Sequence, residues 1–297
     1  MSLQDELNEL IASKGWSQAQ AARAIGKSPA VINQYLQGKY AGDVDGINEL
    51  IEGFIARERE KDKGQRITAE YVKTMTSARG IEVIRMAHLD GDINVIYGEA
   101  GLGKTMMLRE YAARHRDAIL IEADPGYTAR VVLEELCSRL GLSKRGNMHE
   151  LSEACIAALR ESGRIVMIDE AENLPYRALE TLRRIHDKAG IGLVLAGMPR
   201  LIINLKGKRG EYRQLYSRVG FALFIGDVLP EDDINIIAIN MLPAAQDADI
   251  ADALFKACRG NARRLFKLAR GVSRHSNISG NAISAGAVRK FAEMLIS

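Results

Sequence analysis

Hydrophobic positions in the first part of the chain recur at helical spacing. The first apolar stripe consists of Leu3, Leu7, Leu10 and Ile11. Ser17 predicts the N-cap of a second helix over 18–25, and Ser28-Pro29 predicts the cap and first residue of a third. A fourth apolar stripe fits a helix over 47–59. We therefore expect an all-helical domain over residues 1–60.

From Ile67 the pattern changes to short apolar runs separated by helical stretches. The predicted strands are 93–97, 118–123, 165–168, 191–196 and 221–225. This alternation is typical of a parallel five-stranded sheet covered by helices on both faces. After Pro230 only helices are evident. We expect a charged linker over 61–66, an α/β core over 67–228 and a helical domain over 229–297.

The run that follows the first predicted strand carries a phosphate-binding pattern. Gly98 to Thr105 matches G-x-x-x-x-G-K-[ST], with a strand before it and a helix after it. Glycines let backbone amides turn toward phosphate oxygens, and the helix directs its positive end at the anion. The predicted ATP-binding residues are Gly98, Glu99, Ala100, Gly101, Leu102, Gly103, Lys104, Thr105 and Met106.

A pair of acids follows the third predicted strand. The carboxyl ends of parallel strands meet at one edge of a sheet, so Asp169 and Glu170 are expected beside the γ-phosphate. Thr105 and Asp169 are the predicted Mg²⁺ ligands, Asp169 acting through water. Glu170 is the predicted general base, and Lys104 the cation on the β- and γ-phosphates.

The second and third predicted helices resemble the helix-turn-helix of phage repressors. The third helix would then enter the major groove, with Ser28, Asn33 and Gln34 as candidate DNA-binding residues. The alternative is a small helical bundle that contacts protein. The charge of residues 1–64, eight Lys/Arg against ten Asp/Glu, favours that alternative.

Positive charge is concentrated at the other end of the chain. Residues 256–297 hold nine Lys/Arg and one Glu, in a protein whose net charge is only +3. Such a module attracts phosphate backbones without reading sequence. The alternative is a solubilising helical surface from which some arginines reach ATP.

The composition indicates in which cellular compartment we expect the protein. An apolar fraction of 47% can form a sizeable core, and no apolar run approaches the roughly 20 residues of a membrane helix. The acidic N-terminus has no apolar signal region, so we expect no export. Three cysteines without metal-ligand spacing predict reduced thiols in a cytoplasmic protein.

Taken together, these motifs resemble the AAA+ ATPases. They comprise both nucleotide motifs, the segment Ile191 to Gly197, Leu215-Tyr-Ser-Arg218 and Gly260-x-x-Arg263. With the helix-turn-helix, the chain resembles the Mu B family of phage transposition ATPases. The resemblance implies a homo-oligomeric, ATP-dependent helical filament on largely non-specific double-stranded DNA. It also implies that the protein delivers target DNA to a cognate transposase and activates strand transfer, and that hydrolysis disassembles the filament.

The resemblance further assigns residue roles. Arg218 corresponds to an arginine finger and Arg263 to the lid's sensor arginine, with Arg213 near the first. The loop positions implied to contact DNA are Tyr127, Thr128, Arg130, Lys144 and Arg145. One departure is Met198, which stands where a polar residue is usual and cannot orient water by hydrogen bonding. Either a neighbour substitutes for it or hydrolysis is slow.

Two other functions fit the same motifs. One is a transcription or replication-initiation regulator that uses ATP as a switch. The other is a partner ATPase that binds no DNA, of the kind used in secretion or helicase loading; the basic C-terminal end argues against the secretion version.

Overall fold

The computed structural model of the protein describes residues 2–63, 67–207 and 212–295, without the side chains of 60–63 and Arg213. The chain divides into two compact units. Met1–Arg66 and Ser273–Ala282 form the first, and Ile67–Val272 and Ile283–Ser297 form the second. This division differs from the predicted domains in two respects. Residues 273–282 group with the N-terminal unit, and the predicted α/β core and most of the predicted C-terminal helical domain fall in one unit.

Four helices build most of the first unit. They are α1 (Leu3–Ser13), α2 (Gln18–Ile25), α3 (Pro29–Leu36) and α4 (Val44–Lys63). Ser17 and Ser28 cap α2 and α3, where the sequence places the caps. Leu7, Ile32 and Ile51 are fully buried in the core between the helices.

Helix α4 is longer than the apolar stripe predicts. It begins at Val44 and continues through the charged residues to Lys63, so residues 61–63 of the predicted linker are helical. Glu, Lys and Arg favour helix, and Oε2 of the nearly buried Glu58 lies 3.4 Å from Nζ of Lys14, the C-cap of α1. Residues 64–66 of that linker lie outside the described part of the chain.

The second unit contains the predicted parallel sheet. Its strands are β1 (Ile93–Tyr97), β2 (Ala118–Glu122), β3 (Ile165–Asp169), β4 (Gly192–Gly197) and β5 (Val219–Phe224). The strand order is β2-β3-β4-β1-β5, and every pairing is parallel. Strand β5 forms an edge, which explains why most of its residues remain exposed while β3 and β4 are fully buried.

Helices cover both faces of the sheet. Those of the core are α5 (Met75–Asp90), α6 (Lys104–Arg114), α7 (Ala129–Arg139), α8 (Met148–Leu159), α9 (Tyr176–Ala189), α10 (Arg200–Lys206) and α11 (Arg213–Tyr216). Alternate strand residues such as Val166 and Met167 enter opposite core layers. One layer contains α7, α8 and α9; the other contains α5 and α6. Cys137 and Cys155 lie buried in the first layer as free thiols, with Sγ atoms 3.4 Å apart.

The remaining helices follow Pro230. They are α12 (Glu231–Met241), α13 (Ala248–Cys258), α14 (Ala262–Ser279) and α15 (Ala285–Glu293). Their apolar faces complete the second core layer, and α15 packs on α13. Within the described ranges, no helix is both long and apolar enough to cross a bilayer.

Candidate nucleotide-binding site

A cleft of about 1000 Å³ lies at the carboxyl ends of β1, β3 and β4. Parallel strands bring these ends to one edge, so residues that are far apart in sequence meet there. The cleft is lined by Glu99 to Met107, by Asp169 and Glu170, and by Arg263 of α14. The structure therefore brings together the two motifs that the sequence places in one site.

The loop between β1 and α6 has the backbone that phosphate binding requires. Gly101 and Gly103 have φ angles of +82° and +93°, in the left-handed region that favours glycine. Gly103 precedes α6 without a capping side chain. Because glycine offers no side-chain acceptor at the N-cap, the first-turn amides of the helix can bind an anion.

Lys104 contacts the loop itself. Its Nζ donates to the carbonyl oxygens of Gly98 at 2.6 Å and Glu99 at 2.8 Å. Burial lowers the pKa of Lys104, and the nearby carboxylates of Glu172 and Asp169 oppose this effect. A buried ammonium whose hydrogen bonds go to neutral carbonyls is well placed to take an anionic partner such as a triphosphate, because charge-assisted hydrogen bonds are stronger than neutral ones.

The two acids after β3 differ in environment. Asp169 is buried and accepts a hydrogen bond from the amide of Glu170 at 3.0 Å. Glu170 is exposed and has a φ of +52°, a conformation that costs a residue with a side chain roughly 1–2 kcal/mol. The buried carboxylate suits metal coordination, and the exposed one suits contact with water.

Asn173 holds the side chain of Glu170. Its Nδ2 donates to Glu170 Oε2 at 3.2 Å and to the carbonyl of Ala123 at 3.2 Å. The sequence motif did not predict this residue, because its role depends on the 3₁₀ turn over Ala171–Asn173. Met198, at the end of β4, lines the same cleft without a polar group.

Glu172 is a third acid that the sequence interpretation missed, although it stands two residues after Glu170. Its Oε2 is buried and accepts no hydrogen bond from any described residue. A Cβ built on Gly197 would lie 2.1 Å from that oxygen, so a side chain there would displace the Glu172 carboxylate. Asp169, Thr105 and the Glu172 carboxylate all line the cleft, and together they make it a suitable environment for Mg²⁺, which prefers oxygen ligands.

The two predicted arginines lie in different places. Arg263 lines the cleft, and its charge acts on Lys104. Arg218 precedes β5, is about half exposed, and has its Nε 3.6 Å from Asp187 Oδ1. It does not line the cleft of its own chain, which is compatible with a role at a neighbouring subunit. The side chain of Arg213 lies outside those that the structure describes.

The candidate DNA contacts have mixed environments. Asn33 and Gln34 are exposed on α3, and the exposed Ser28 precedes that helix as its N-cap. Tyr127 packs against the core, Thr128 caps α7, and Arg130 pairs with Glu134 at 2.7 Å, so these three have structural partners. Lys144 and Arg145 are exposed in the loop before α8. Their DNA contacts stay predictions.

Comparison with protein families matches two segments of the chain. Residues 88–203, which include both nucleotide motifs, match an AAA domain. Residues 7–41, which span α2 and α3, match a helix-turn-helix.

Three proteins with detectable similarity come from phages or a prophage. The Mu-like prophage FluMu DNA transposition protein B of Haemophilus influenzae is 28% identical over 227 residues, which cover 74% of this chain and 78% of the relative. The ATP-dependent target DNA activator B of Escherichia phage Mu is 28% identical over 217 residues, which cover 72% and 69%.

Solved structures share the fold. The ORC2 protein of Aeropyrum pernix superposes with a TM-score of 0.60 at 20% identity, covering 78% of this chain and 71% of that one. A Walker-type ATPase of Pyrococcus abyssi gives 0.54 at 15% identity, covering 77% and 74%. The chain therefore contains an AAA domain and an N-terminal helix-turn-helix, and over nearly three quarters of its length it is similar to the Mu-type DNA transposition proteins B.

Proposed function

We propose that this protein is a Mg²⁺-dependent ATPase that binds double-stranded DNA largely without sequence preference and presents it to a transposase. The observation that carries this proposal is the cleft in which Lys104, Asp169 and Glu170 meet. The relatives named for ATP-dependent target DNA activation and for DNA transposition support the biological setting.

The chemistry follows from the side chains of the cleft. Gly98 to Thr105 would hold the triphosphate, with Lys104 released from the loop carbonyls to the β- and γ-phosphates. Thr105 and Asp169 would hold Mg²⁺, which neutralises phosphate charge when bound. Glu170 would accept a proton from the attacking water.

The basic C-terminal end supports binding to DNA. On α14, Lys267, Arg270 and Arg274 are all exposed and recur at helical spacing, so they lie along one face. Cations arranged in this way bind phosphates without reading bases, which suits a protein that accepts many target sequences. The exposed α3 residues would add contacts in the major groove.

Self-assembly into an ATP-dependent filament completes the proposal. Arg218 is exposed beside the edge strand β5 and lies away from its own cleft, so it could stabilise phosphate charge on a neighbouring subunit. Filaments of this kind would assemble in the cytoplasm of the bacterial host, and contact with the transposase would trigger hydrolysis and release.

Filter binding of a random-sequence duplex tests the proposal. We expect retention only with Mg²⁺ and ATP, and about the same retention for unrelated duplexes. Lys104→Ala should abolish both ATP binding and retention, because the variant lacks the cation on the phosphates. ATP-independent retention, or normal retention by Lys104→Ala, would contradict the coupling of DNA binding to nucleotide.

A transcription or replication-initiation regulator is the second candidate. The exposed Asn33 and Gln34 on α3 favour it, because these side chains can pair with adenine edges. Strong preference for one duplex in the same assay would support this candidate over the first.

A further inference from the structure

Asn261 connects the nucleotide loop to the helix that carries Arg263. It lies between α13 and α14, directly after Gly260. Its Oδ1 accepts a hydrogen bond from the amide of Arg264 at 3.1 Å and thereby caps α14. Its Nδ2 donates to the carbonyl of Ala100 at 2.8 Å, 161 residues earlier in the chain. One amide side chain therefore serves both as a helix cap and as a donor to the nucleotide loop.

A second bond joins the same two segments. The amide of Arg263 donates to the carbonyl of Gly101 at 3.3 Å. A Cβ built on Gly101 would lie 2.5 Å from Asn261 Oδ1 and 3.0 Å from the Cβ of Arg263. The tip of the nucleotide loop thus packs directly against the start of α14, with no room for a side chain between them.

These contacts fix where Arg263 lies relative to the phosphates. Arg263 is two residues from Asn261, in the first turn of α14, and lines the cleft together with Lys104. If the first turn of α14 moves away from Ala100, the guanidinium of Arg263 moves with it.

We propose that Asn261 is a positioning residue that ties α14 to the nucleotide loop and so holds Arg263 at the phosphate end of the cleft. The inference rests on the proposed ATP-binding function of that cleft. The hydrogen bond to the carbonyl of Ala100 requires an asparagine side chain at this position. Aspartate could cap α14 but has no donor, and serine could cap α14 but is too short to reach Ala100.

The test uses Asn261→Ser, which can still cap α14 but cannot reach Ala100. Affinity for a fluorescent ATP analogue with Mg²⁺ is measured in the full chain. We expect affinity to fall about tenfold, as loss of one hydrogen bond near a charged group predicts. Combined with Arg263→Ala, the same substitution should cost less than about twofold, because the guanidinium that Asn261 positions is no longer present.

Ser284→Ala is the matched control. Ser284 caps α15 by accepting from the amide of Ala287 at 3.3 Å, and it does not line the cleft. We expect this variant to lose thermal stability while it binds the analogue as the wild type does. A general effect of lost capping would instead weaken binding in both single variants.

The outcomes separate the two claims. The positioning role is wrong if Asn261→Ser binds the analogue as tightly as the wild type. It is also wrong if the substitution lowers the affinity equally in the wild-type and Arg263→Ala backgrounds. In both cases the proposed ATP site is unaffected. If the wild type itself binds no analogue in the presence of Mg²⁺, the proposed function fails first. Asn261→Asp gives a further check: it keeps the cap and the shape, and it should bind no better than Asn261→Ser.

Discussion

Glu170 combines backbone strain with a chemical role. Its left-handed φ of +52° directs the residue out of β3, and Asn173 then holds its carboxylate at 3.2 Å. Strain of this kind persists where surrounding contacts determine the conformation. Met198 offers no hydrogen bond at the end of β4, so Asn173 is the neighbouring polar side chain seen to orient the proposed base.

The first prediction concerns Asn173. Asn173→Ala should lower the turnover rate of ATP hydrolysis about tenfold with little change in ATP affinity, because it removes the bond that orients Glu170. Steady-state rates are compared in the wild-type and Glu170→Gln backgrounds. Asn173 acts through Glu170 only if its removal has little further effect once Glu170 is replaced; equal losses in both backgrounds would indicate a structural role instead.

At the scale of elements, the start of α12 supports the start of α5. The carboxylate of Asp233 is buried and accepts from the amides of Met75 at 3.1 Å and Thr76 at 3.0 Å. These amides belong to the first turn of α5, where negative charge is favourable. The acids at 231–233 therefore do more than place negative charge at the N-terminus of α12. Asp233 also accepts hydrogen bonds from the first-turn amides of α5, a helix that begins 158 residues earlier.

The second prediction follows from that contact. Asp233→Ala should destabilise the protein by about 1–3 kcal/mol, because two amides at the start of α5 lose their acceptor. Urea unfolding measures the loss. Asp232→Ala, at an exposed position one residue earlier, should change stability by less than about 0.5 kcal/mol. Similar losses in the two variants would mean that general charge at α12, not the bond to α5, is what matters.

The elements that the sequence predicts well are those with local signals. Apolar runs place all five strands within about two residues, and Ser17 and Ser28 mark the starts of their helices. The loop at 98–105 and the acids at 169–170 are found for the same reason. The bonds from Asp233 to α5 and from Asn261 to Ala100 join residues about 160 positions apart, so no local pattern indicates them. The end of α4 was misplaced because its last turns lack an apolar stripe.

At the scale of the whole molecule, charge is distributed unevenly. Residues 1–64 carry a small negative balance, whereas residues 256–297 carry nine cationic side chains and one acid. If both ends contact DNA, the electrostatic part of binding must come mainly from the C-terminal end. The helix-turn-helix would then contribute contacts to base edges more than affinity.

The last prediction concerns the contribution of α14 to the electrostatic part of DNA binding. Replacing Lys267 and Arg270 together by alanine removes two exposed cations from one face of α14. The plot of log binding constant against log salt should become shallower by about two, because each phosphate contact releases roughly 0.9 counterion. Filter binding with Mg²⁺ and ATP at several salt concentrations gives the slope.

The control is Arg116→Ala with Arg160→Ala, which removes two exposed arginines before β2 and β3, at the opposite edge of the sheet from the cleft. An unchanged slope in this control, together with a shallower one in the α14 variant, places the phosphate contacts on α14. Equal slopes in both variants and the wild type would mean that the phosphate contacts lie elsewhere in the molecule. Lys144 and Arg145 would then be the next residues to test.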